Sequence, residues 1–369
     1  MRTLPQTRDL VLVGGGHAHA LVLRAWAMDP LPGARLTLID PTPAAPYTGM
    51  LPGLLAGHYR LAEIEIDLVR LARAAGARLI AGRARGLDLQ AQTVAVAGRP
   101  PVAYDVLSLD IGVGTGLPEV PGFAEHGVAA KPMGALARRW AAFLAGGSPP
   151  DVAIIGAGLA GVELALAIDH ALRFRPGRRI TLIEAGPLAL SALGAGARAQ
   201  VLAEVGRRGI ALRTGLAVAA VEPDAVVLAD GSTVPAGLVV GTAGARPQTW
   251  LADTGLHQTQ GFVTVGATLE SASHPRIFAA GDCAEVAPSP RPKAGVYAVR
   301  QAPVLLANLR AALMDRPPGP WRAQRDHLKL VALGDRRAVA EKWGLRLPLP
   351  APWLWRLKDR IDRRFMAMF

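Results

Sequence analysis

The chain has 369 residues, of which 51% are hydrophobic, so it is long enough to form two or three domains with buried cores and too apolar to be disordered. Its one cysteine excludes an internal disulfide framework and a cysteine metal site, which favours a reducing compartment, and no metal site is predicted. The net charge of +12 predicts attraction to anions, but no aromatic and basic stripe or helix-turn-helix signature points to nucleic acid.

The first predicted elements form a strand, a glycine turn, a helix and a second strand. In chain order they are residues 9–13, the turn Gly14, Gly15 and Gly16, residues 20–28, residues 35–39 and the closing acid Asp40. Glycines at such a turn let backbone amides approach a pyrophosphate at a helix N-terminus, and the acid accepts hydrogen bonds from a ribose. The unit therefore predicts a dinucleotide site.

One position departs from the GxGxxG pattern, because His19 replaces the third glycine. That glycine normally permits close packing of the helix on the strand. Two interpretations stay open. Either the helix lies slightly farther from the sheet and His19 fills the gap, or His17 or His19 lies near the phosphates or the bound ring system.

The same unit recurs later in the chain with an intact GxGxxG. Its parts are a strand at 151–155, the glycines Gly156, Gly158 and Gly161, a helix at 162–172, a strand at 179–183 and the closing acid Glu184. A carboxylate at that position repels a 2′-phosphate, so this site is predicted to prefer NADH to NADPH. Two complete units are much stronger evidence than one isolated motif.

Short alternating runs between and after these units predict antiparallel ribbons inserted into the two domains. They are Thr93–Val96, Ala225–Leu228 and residues 233–240. Each ribbon leads into a glycine-rich segment that predicts a hinge. These two segments are residues 107–122, which include Gly112, and residues 239–248, which include Gly244.

Together these motifs resemble the two-dinucleotide flavoprotein superfamily that includes glutathione reductase and the type II NADH dehydrogenases, over nearly the whole chain. By this resemblance the first glycine turn belongs to the FAD site. The segment GAGLAGVELA, which starts at Gly156 and includes Leu159, resembles the NADH site. The segment HPRIFAAGDCAEV resembles the second FAD motif, in which Gly281 precedes Asp282, the residue that binds the flavin ribitol. Cys283 is then a bystander beside a cofactor residue.

The motifs and the resemblance imply an α/β fold with two doubly wound Rossmann-like dinucleotide-binding domains, one for FAD and one for NADH. Inserted antiparallel ribbons and a small C-terminal α+β cap complete it. The expected boundaries are residues 1–122 and 248–322 for the FAD-binding domain, 123–247 for the NADH-binding domain, and 323–369 for the C-terminal ribbon and amphipathic helix.

Three segments are similar to a narrower group, the flavoprotein fused to or neighbouring bacterial selenide, water dikinase. They are GGGHAHALVLRAWAMDPLPG, PYTGMLPG and WLWRLKDRIDRRFMAMF. This resemblance suggests a context and establishes no selenium chemistry. It implies a hypothesis of another class, a flavin-bearing partner subunit in selenophosphate synthesis with little turnover of its own, against which the intact second unit argues.

Many enzymes of this superfamily relay electrons through a cysteine pair beside the flavin. The region that follows the first acidic strand end, residues 40–59, has no cysteine, which excludes a thiol relay there and a sulfide:quinone oxidoreductase. Direct hydride transfer from NADH to FAD remains. By the resemblance Glu163 sits beside the nicotinamide and the flavin, and it is assigned a catalytic positioning role. The alternative is a carboxylate at a helix start, favoured by the helix dipole.

By the same resemblance Thr48, Gly49 and Met50 border the ring system, and a helix opening within residues 292–303 lies near its pyrimidine end. Type II NADH dehydrogenases usually carry a glutamine-containing AQxAxQ pattern in that helix for the quinone. This chain departs from that pattern and has only Gln301 there. A quinone is the first predicted acceptor because the overall layout resembles membrane-associated dehydrogenases. A small iron–sulfur carrier protein is the second.

The C-terminal region predicts a two-stranded ribbon over residues 328–343 and a final amphipathic helix. An apolar stripe at spacings of three and four opposes a basic face. The stripe is Leu354, Leu357, Ile361, Phe365 and Met368, and the basic face is Arg356, Lys358, Arg360, Arg363 and Arg364. Residues 353–369 are therefore expected to contact a membrane surface, with packing on the protein itself, homodimerisation or a partner protein as alternatives. The predicted location is cytoplasmic, or peripheral on the inner face of the cytoplasmic membrane.

Overall fold

The computed structural model describes residues 7–115, 117–147, 149–346 and 349–369. In residues 7–115 the strands are β1 (Arg8–Val13), β2 (Ala34–Asp40), β3 (Ala44–Pro46), β4 (Glu65–Asp67), β5 (Arg78–Ala81), β6 (Ala84–Asp88), β7 (Thr93–Val96), β8 (Val102–Ala103), β9 (Val106–Leu109) and β10 (Gly114–Thr115). The helices are α1 (His17–Met28), α2 (Leu51–Leu55) and α3 (Leu68–Ala74), with 3-10 turns at Thr48–Met50 and Leu61–Glu63.

The middle of the chain repeats this arrangement. From residue 117 to residue 246 the strands are β11 (Gly127–Ala129), β12 (Asp151–Ile155), β13 (Arg179–Glu184), β14 (Ala211–Thr214), β15 (Val218–Val221), β16 (Ala225–Leu228), β17 (Thr233–Pro235), β18 (Leu238–Gly241) and β19 (Ala245–Arg246). The helices are α4 (Phe123–His126), α5 (Met133–Ala145), α6 (Leu159–Ala171) and α7 (Ala195–Arg207).

The last third returns to the first sheet and then forms the C-terminal cap. After residue 247 the strands are β20 (Gln258–Thr259), β21 (Phe262–Val265), β22 (Ile277–Ala279), β23 (Ala284–Val286), β24 (Lys329–Ala332), β25 (Ala338–Lys342) and β26 (Leu345–Arg346). The helices are α8 (Gly295–Leu313) and α9 (Pro352–Met366), with 3-10 turns at Thr249–Thr254 and Gly281–Cys283.

Within the described residues, two five-stranded sheets of parallel strands have equivalent strand orders. The first is β22-β9-β1-β2-β5 and the second is β11-β18-β12-β13-β14. In each sheet the chain order reverses beside the strand that precedes the glycine turn, β1 or β12. Open α/β sheets bind ligands at the carboxyl ends of the strands at such a reversal. The predicted α/β class with two Rossmann-like units is confirmed.

The central strands of both sheets are largely apolar on both faces because both faces are covered. In the second sheet, α5, α6 and α7 cover one face and the strands β15, β16 and β17 cover the other. Strands β9, β12 and β18 are buried over their whole length. Helices α1 and α8 contact each other beside the first sheet. Helix α6 is buried along most of its length in the second core. The carboxyl ends of β1 and β12 are therefore held in place by two well-packed cores.

The helices after both glycine turns begin earlier than predicted. Helix α1 begins at His17 rather than at residue 20, and α6 begins at Leu159 rather than at residue 162. Gly16 and Gly158 are the N-caps, with extended backbone and no side-chain cap. The short stretches His-Ala-His at 17–19 and Leu-Ala-Gly at 159–161 do not show the apolar periodicity on which the prediction relied.

The inserted ribbons are three-stranded, β6-β7-β8 and β15-β16-β17. The predicted ribbon at 233–240 is wrong in its second half, because Leu238–Gly241 is β18 of the second parallel sheet. A short buried strand of this kind is apolar throughout and gives no sign of its partner. Likewise, the predicted hinge at 107–122 begins inside buried β9, and its residue 116 lies outside the described residues.

The two predicted hinges meet each other. Strand β10 pairs antiparallel with β19, with Gly114 opposite Arg246. The side-chain amide of Gln248 donates to the Gly112 carbonyl oxygen at 3.0 Å. Gly244, with a φ of +66°, makes the bend that precedes β19. The two chain crossings between the units thus form one small antiparallel ribbon.

The C-terminal cap contains a three-stranded sheet, β24-β25-β26, where two strands were predicted. The turn between β24 and β25 packs on α6 of the second unit, where a Cβ on Gly334 would lie 2.2 Å from the Leu166 carbonyl oxygen. The Gly334 carbonyl oxygen also lies 2.7 Å from Nε2 of His58, in the first unit. Glu341 on β25 accepts a hydrogen bond from the Gly194 amide at 2.8 Å. The cap is therefore fixed to the second unit before α9 begins.

Helix α9 packs on the protein along only part of the predicted apolar stripe. Leu354 and Phe365 are buried, but Leu357 and Ile361 are 36% and 47% exposed. Lys358, predicted on the outer basic face, points inward and donates to the Gly49 carbonyl oxygen at 2.7 Å. Apolar residues at spacings of three and four cover a wide strip of the helix surface, and the rest of the protein packs on only one edge of that strip.

In the described part of the chain no helix combines the length and the apolar character that crossing a membrane requires.

Candidate functional site

The glycine turn after β1 has no room for side chains. Gly14 has a φ of +90°, and a Cβ there would lie 2.4 Å from the carbonyl oxygen of Asp110. A Cβ on Gly16 would lie 2.4 Å from the Asp110 carboxylate, and one on Gly15 would lie 2.4 Å from Leu68. The positive φ and the close contacts explain why glycine is required at this turn.

The acid at the end of β2 holds this turn in place. The Gly15 amide donates to Oδ2 of Asp40 at 2.7 Å, and the Gly14 amide donates to the Ile39 carbonyl oxygen at 2.8 Å. Thr42 donates to the other carboxylate oxygen. Asp40 therefore lies beside the turn, where a carboxylate can also accept the hydroxyl of a ribose.

The turn after β12 has the same construction. The Ala157 amide donates to Oε2 of Glu184 at 2.8 Å, and the Gly156 amide donates to the Ile183 carbonyl oxygen at 2.7 Å. A Cβ on Gly161 would lie 1.9 Å from the Gly156 carbonyl oxygen. Only glycine at position 161 therefore allows α6 to pack this closely against the turn. The two cradles are equivalent, and both fit a dinucleotide.

His19 takes the place of that third glycine in the first cradle. Its ring is fully buried, with Nδ1 2.7 Å from the Gly14 carbonyl oxygen and Nε2 2.8 Å from the Ser108 hydroxyl. Burial lowers the pKa of His19 to about 4, so the ring is neutral at physiological pH. His19 fills the space between α1 and the sheet, which favours the first of the two interpretations for this residue.

His17 lies on the opposite side of α1, toward the C-terminal helix. Its ring centroid is 5.3 Å from that of Tyr47 and 5.8 Å from that of Phe365. A Cβ on Gly295, the first residue of α8, would lie 3.0 Å from Nδ1 of His17. Burial lowers the pKa of His17. The start of α1, the start of α8 and the end of α9 therefore meet around this ring.

Asp110 is a site residue that the motif search missed. It follows β9 at the carboxyl edge of the first sheet, and its carboxylate accepts the His19 amide at 2.9 Å. Burial is the largest cause that raises its pKa to about 7, and the charges of Asp282 and Asp40 add to this. An acid directly after a short and mostly apolar strand is the sequence signal that points to it.

Replacement of Asp110 by asparagine tests this titration. Between about pH 4 and pH 7 the folded wild type keeps the proton that the unfolded chain loses, so its free energy of unfolding falls as the pH rises. Asparagine does not titrate. We expect the stability of Asp110→Asn relative to wild type to increase over this range, by at most on the order of 4 kcal/mol, and to stay constant above it. Urea unfolding of the FAD-free proteins from pH 4.5 to 8 measures the difference, and a pH-independent difference contradicts the assignment.

The segment that contains Asp282 adjoins the first cradle. A Cβ on Gly281 would lie 2.4 Å from Oδ1 of Asp110, and the Gly281 amide donates to Oε1 of the buried Gln301 at 2.8 Å. Asp282 forms an ion pair with Lys131 at 2.7 Å. Cys283 is buried, and burial raises the pKa of its thiol to about 12, which agrees with an unreactive bystander.

The segment predicted to border the ring system forms the 3-10 turn Thr48–Met50. Met50 is buried, whereas Thr48 and Gly49 are partly accessible. Helix α9 lies over this turn. Its Asp362 accepts the Tyr47 hydroxyl at 2.9 Å and pairs with Lys358 at 2.7 Å. The last helix is therefore part of the site, which sequence periodicity did not indicate.

Glu163 lies in the interior of α6 and reaches the cap. The helix begins at Leu159, so Glu163 is beyond its first residues, and this weakens the interpretation of a helix-start carboxylate. Its Oε1 accepts the Ala332 amide at 2.7 Å. Burial raises the pKa of Glu163, and the nearby ammonium of Lys358 opposes the rise. Glu163 thus lies between the second cradle and the base of α9.

A small cleft opens at this junction. Its walls come from the α2 region, the β24–β25 turn and α9, and include Gly49, Tyr59, Ala332, Trp355 and Lys358. Glu163 is hydrogen-bonded to the amide of one of these residues, Ala332. The cleft therefore lies beside the 3-10 turn and one hydrogen bond away from Glu163.

Comparison with known sequences agrees with this arrangement. The sequence pattern of the pyridine nucleotide-disulphide oxidoreductase family matches residues 8–302. An NADH dehydrogenase-like protein of Mycobacterium tuberculosis is 30% identical over 237 residues, 61% of this chain and 59% of that protein. Demethylphylloquinone reductase of Synechocystis is 27% identical over 336 residues, 87% of this chain and 82% of that protein. The chain thus spans less than two thirds of the mycobacterial relative.

Solved structures show the same fold. The sulfide:quinone oxidoreductase of Aquifex aeolicus superposes with a TM-score of 0.80 at 20% identity, over 98% of this chain and 91% of that chain. The NDH2 of Plasmodium falciparum in complex with NADH superposes with a TM-score of 0.80 at 12% identity, over 98% of both chains. At such identities the likeness concerns the fold alone.

Proposed function

The chain belongs to the pyridine nucleotide-disulphide oxidoreductase family, with FAD and NADH as its cofactors, and from this premise we propose that it transfers a hydride from NADH to FAD and passes the electrons to a quinone. The observation that carries the proposal is the pair of equivalent cradles, with Glu163 between the second cradle and the cleft. Because residues 40–59 contain no cysteine, the electrons leave without a thiol relay.

In this proposal the first cradle, with Asp40, binds FAD, and the second, with Glu184, binds NADH. The flavin supplies the chemistry by accepting a hydride and releasing electrons. The residues of the chain supply position and charge. The backbone of the two glycine turns lies against the two pyrophosphates, and Glu184 favours a free ribose hydroxyl over a 2′-phosphate. Glu163 is the carboxylate that faces the nicotinamide.

The cleft beside Glu163 is the proposed entrance for the quinone. Tyr59 and Trp355 provide flat apolar surface, and Lys358 provides a donor for a quinone oxygen. The name of the Synechocystis relative, demethylphylloquinone reductase, supports a quinone as acceptor. A carrier protein with an iron–sulfur centre remains the second prediction. The link to selenophosphate synthesis also remains a prediction from the narrower resemblance.

We further propose that the outer face of α9 contacts the membrane that holds the quinone. Trp353, Leu357 and Ile361 are exposed at spacings of four, with exposures of 54%, 36% and 47%. Arginines flank this row along the same helix, namely Arg356, Arg360 and Arg364, and all are exposed. Apolar side chains in a basic surrounding are suited to an anionic lipid interface.

The double variant Leu357→Gln/Ile361→Gln tests the membrane contact. Because both side chains are largely solvent-exposed in the protein, we expect unchanged thermal stability. Binding to vesicles that contain anionic phospholipid is expected to weaken by at least about tenfold. The matched control is Val69→Gln/Met314→Gln, at side chains that are each 39% exposed on other helices or their ends. Equal vesicle binding by both double variants contradicts the proposal.

Anaerobic addition of NADH, and separately NADPH, to the FAD-loaded protein tests the proposed reaction. We expect NADH to bleach the visible flavin absorbance rapidly, NADPH to do so much more slowly, and a quinone to restore the colour. If an iron–sulfur protein restores the flavin colour and a quinone does not, the iron–sulfur protein takes the place of the quinone as the acceptor. If neither nucleotide bleaches the flavin, the proposed function fails.

A further inference from the structure

Lys131 reaches from one nucleotide-binding unit to the other. It follows β11 of the second sheet, where the neighbouring Ala130 amide donates to the Gly241 carbonyl oxygen at 2.8 Å. Its ammonium lies 2.7 Å from Oδ2 of Asp282, in the 3-10 turn beside the first cradle. The backbone of Lys131 is thus fixed to the second unit and its charge is placed in the first.

The junction that receives this ammonium is rich in carboxylates. Asp110 lies against Gly281, the residue before Asp282, and Asp40 lies against the same glycine turn. Electrostatic repulsion among these acids contributes to the raised pKa of Asp110. The nearby imidazole of His17 does not supply a compensating charge, because burial lowers its pKa. The ammonium of Lys131 faces this group of carboxylates.

A negative charge that develops at this junction needs compensation. The hydride that leaves NADH carries two electrons and one proton, so the nicotinamide becomes the cation of NAD⁺ and the flavin gains one negative charge. Carboxylates close to the flavin destabilise this negative charge, and a nearby ammonium offsets their effect. Lysine suits this role because its charge is compact and its stem is flexible.

We propose that Lys131 is a positioning residue for the flavin and that its ammonium stabilises the reduced, negatively charged ring. This rests on the proposed function, in which Asp282 adjoins the ribityl chain of FAD. With FAD bound, Asp282 would accept a ribityl hydroxyl, and the Lys131 ammonium, 2.7 Å from Oδ2 of Asp282, would supply a positive charge beside the cofactor. The second unit thereby contributes a charge to the cofactor of the first, so reduction of the flavin is sensitive to how the two units are held together.

The test compares Lys131→Met, Lys131→Arg and a matched charge control, Lys342→Met, in the FAD-loaded protein. Lys342 is exposed on β25 of the cap. Two quantities are measured, the dissociation constant for sulfite, which adds to the flavin as an anion, and the reduction potential against a reference dye. We expect Lys131→Met to weaken sulfite binding by about tenfold or more and to shift the dye equilibrium toward oxidised flavin. Lys131→Arg and Lys342→Met are expected to stay close to wild type.

Unchanged sulfite binding and an unchanged potential in Lys131→Met overturn the proposal, even if that variant melts at a lower temperature. If Lys131→Met does not retain FAD, Lys131→Gln replaces it, because an amide can still donate to Asp282 without a charge, and the same two outcomes apply. Neither measurement uses NADH. A wild-type protein that NADH fails to reduce would therefore refute the proposed function and leave the result for Lys131 readable.

Discussion

Glu163→Gln is expected to lower the rate of flavin bleaching by NADH at least about tenfold while the fold and the bound FAD are retained. In the proposed function the buried carboxylate would stabilise the positive charge that forms on the nicotinamide, and the neutral amide would not. The amide oxygen of glutamine can still accept the Ala332 amide, which the carboxylate accepts at 2.7 Å, so the contact with the cap survives.

Stopped-flow absorbance at several NADH concentrations measures this effect. Because burial raises the pKa of Glu163, the wild-type rate is expected to fall as the pH is lowered and the carboxylate gains its proton, and the variant is expected to lack that dependence. The matched control is Glu341→Gln, another buried glutamate that accepts a backbone amide, that of Gly194 at 2.8 Å. If Glu163→Gln bleaches as fast as wild type, Glu163 has no role in the reaction.

Phe365→Ala is expected to destabilise the protein by about 3 to 5 kcal/mol and to reduce FAD retention. The side chain is 7% exposed, its ring is stacked on Tyr47 with centroids 4.7 Å apart, and it contacts the ring of His17 at the start of α1. Its removal leaves a cavity where α1, the segment before the 3-10 turn and α9 meet. Urea unfolding and the ratio of flavin to protein absorbance measure the two effects.

The control for this change lies one turn earlier on the same helix. Ile361 is 47% exposed, so Ile361→Ala is expected to change stability by no more than about 0.5 kcal/mol. Equal losses in the two variants would show that α9 does not pack as described. Deletion of the whole helix mixes these roles, because it removes the inward contacts of Phe365 and Asp362 together with the exposed outer row.

Local sequence was sufficient to locate both nucleotide units. Positive φ and close backbone contacts admit only glycine at Gly14 and Gly156, and a closing acid holds each turn, so the pattern is written in consecutive residues. The fold class follows because strands covered on both faces must be apolar throughout. The missing cysteine pair in residues 40–59 is likewise visible without a structure.

Tertiary structure alone decided which distant residues join these units. Asp110, Lys131 and Asp362 were not predicted as site residues, and each meets the site through a partner far away in the chain, as Asp362 does with Tyr47. The periodicity of α9 predicted an amphipathic helix but not which edge of its stripe the protein covers. Spacing reports which side chains share a helix face, whereas their burial depends on the surface that the rest of the chain presents to that face.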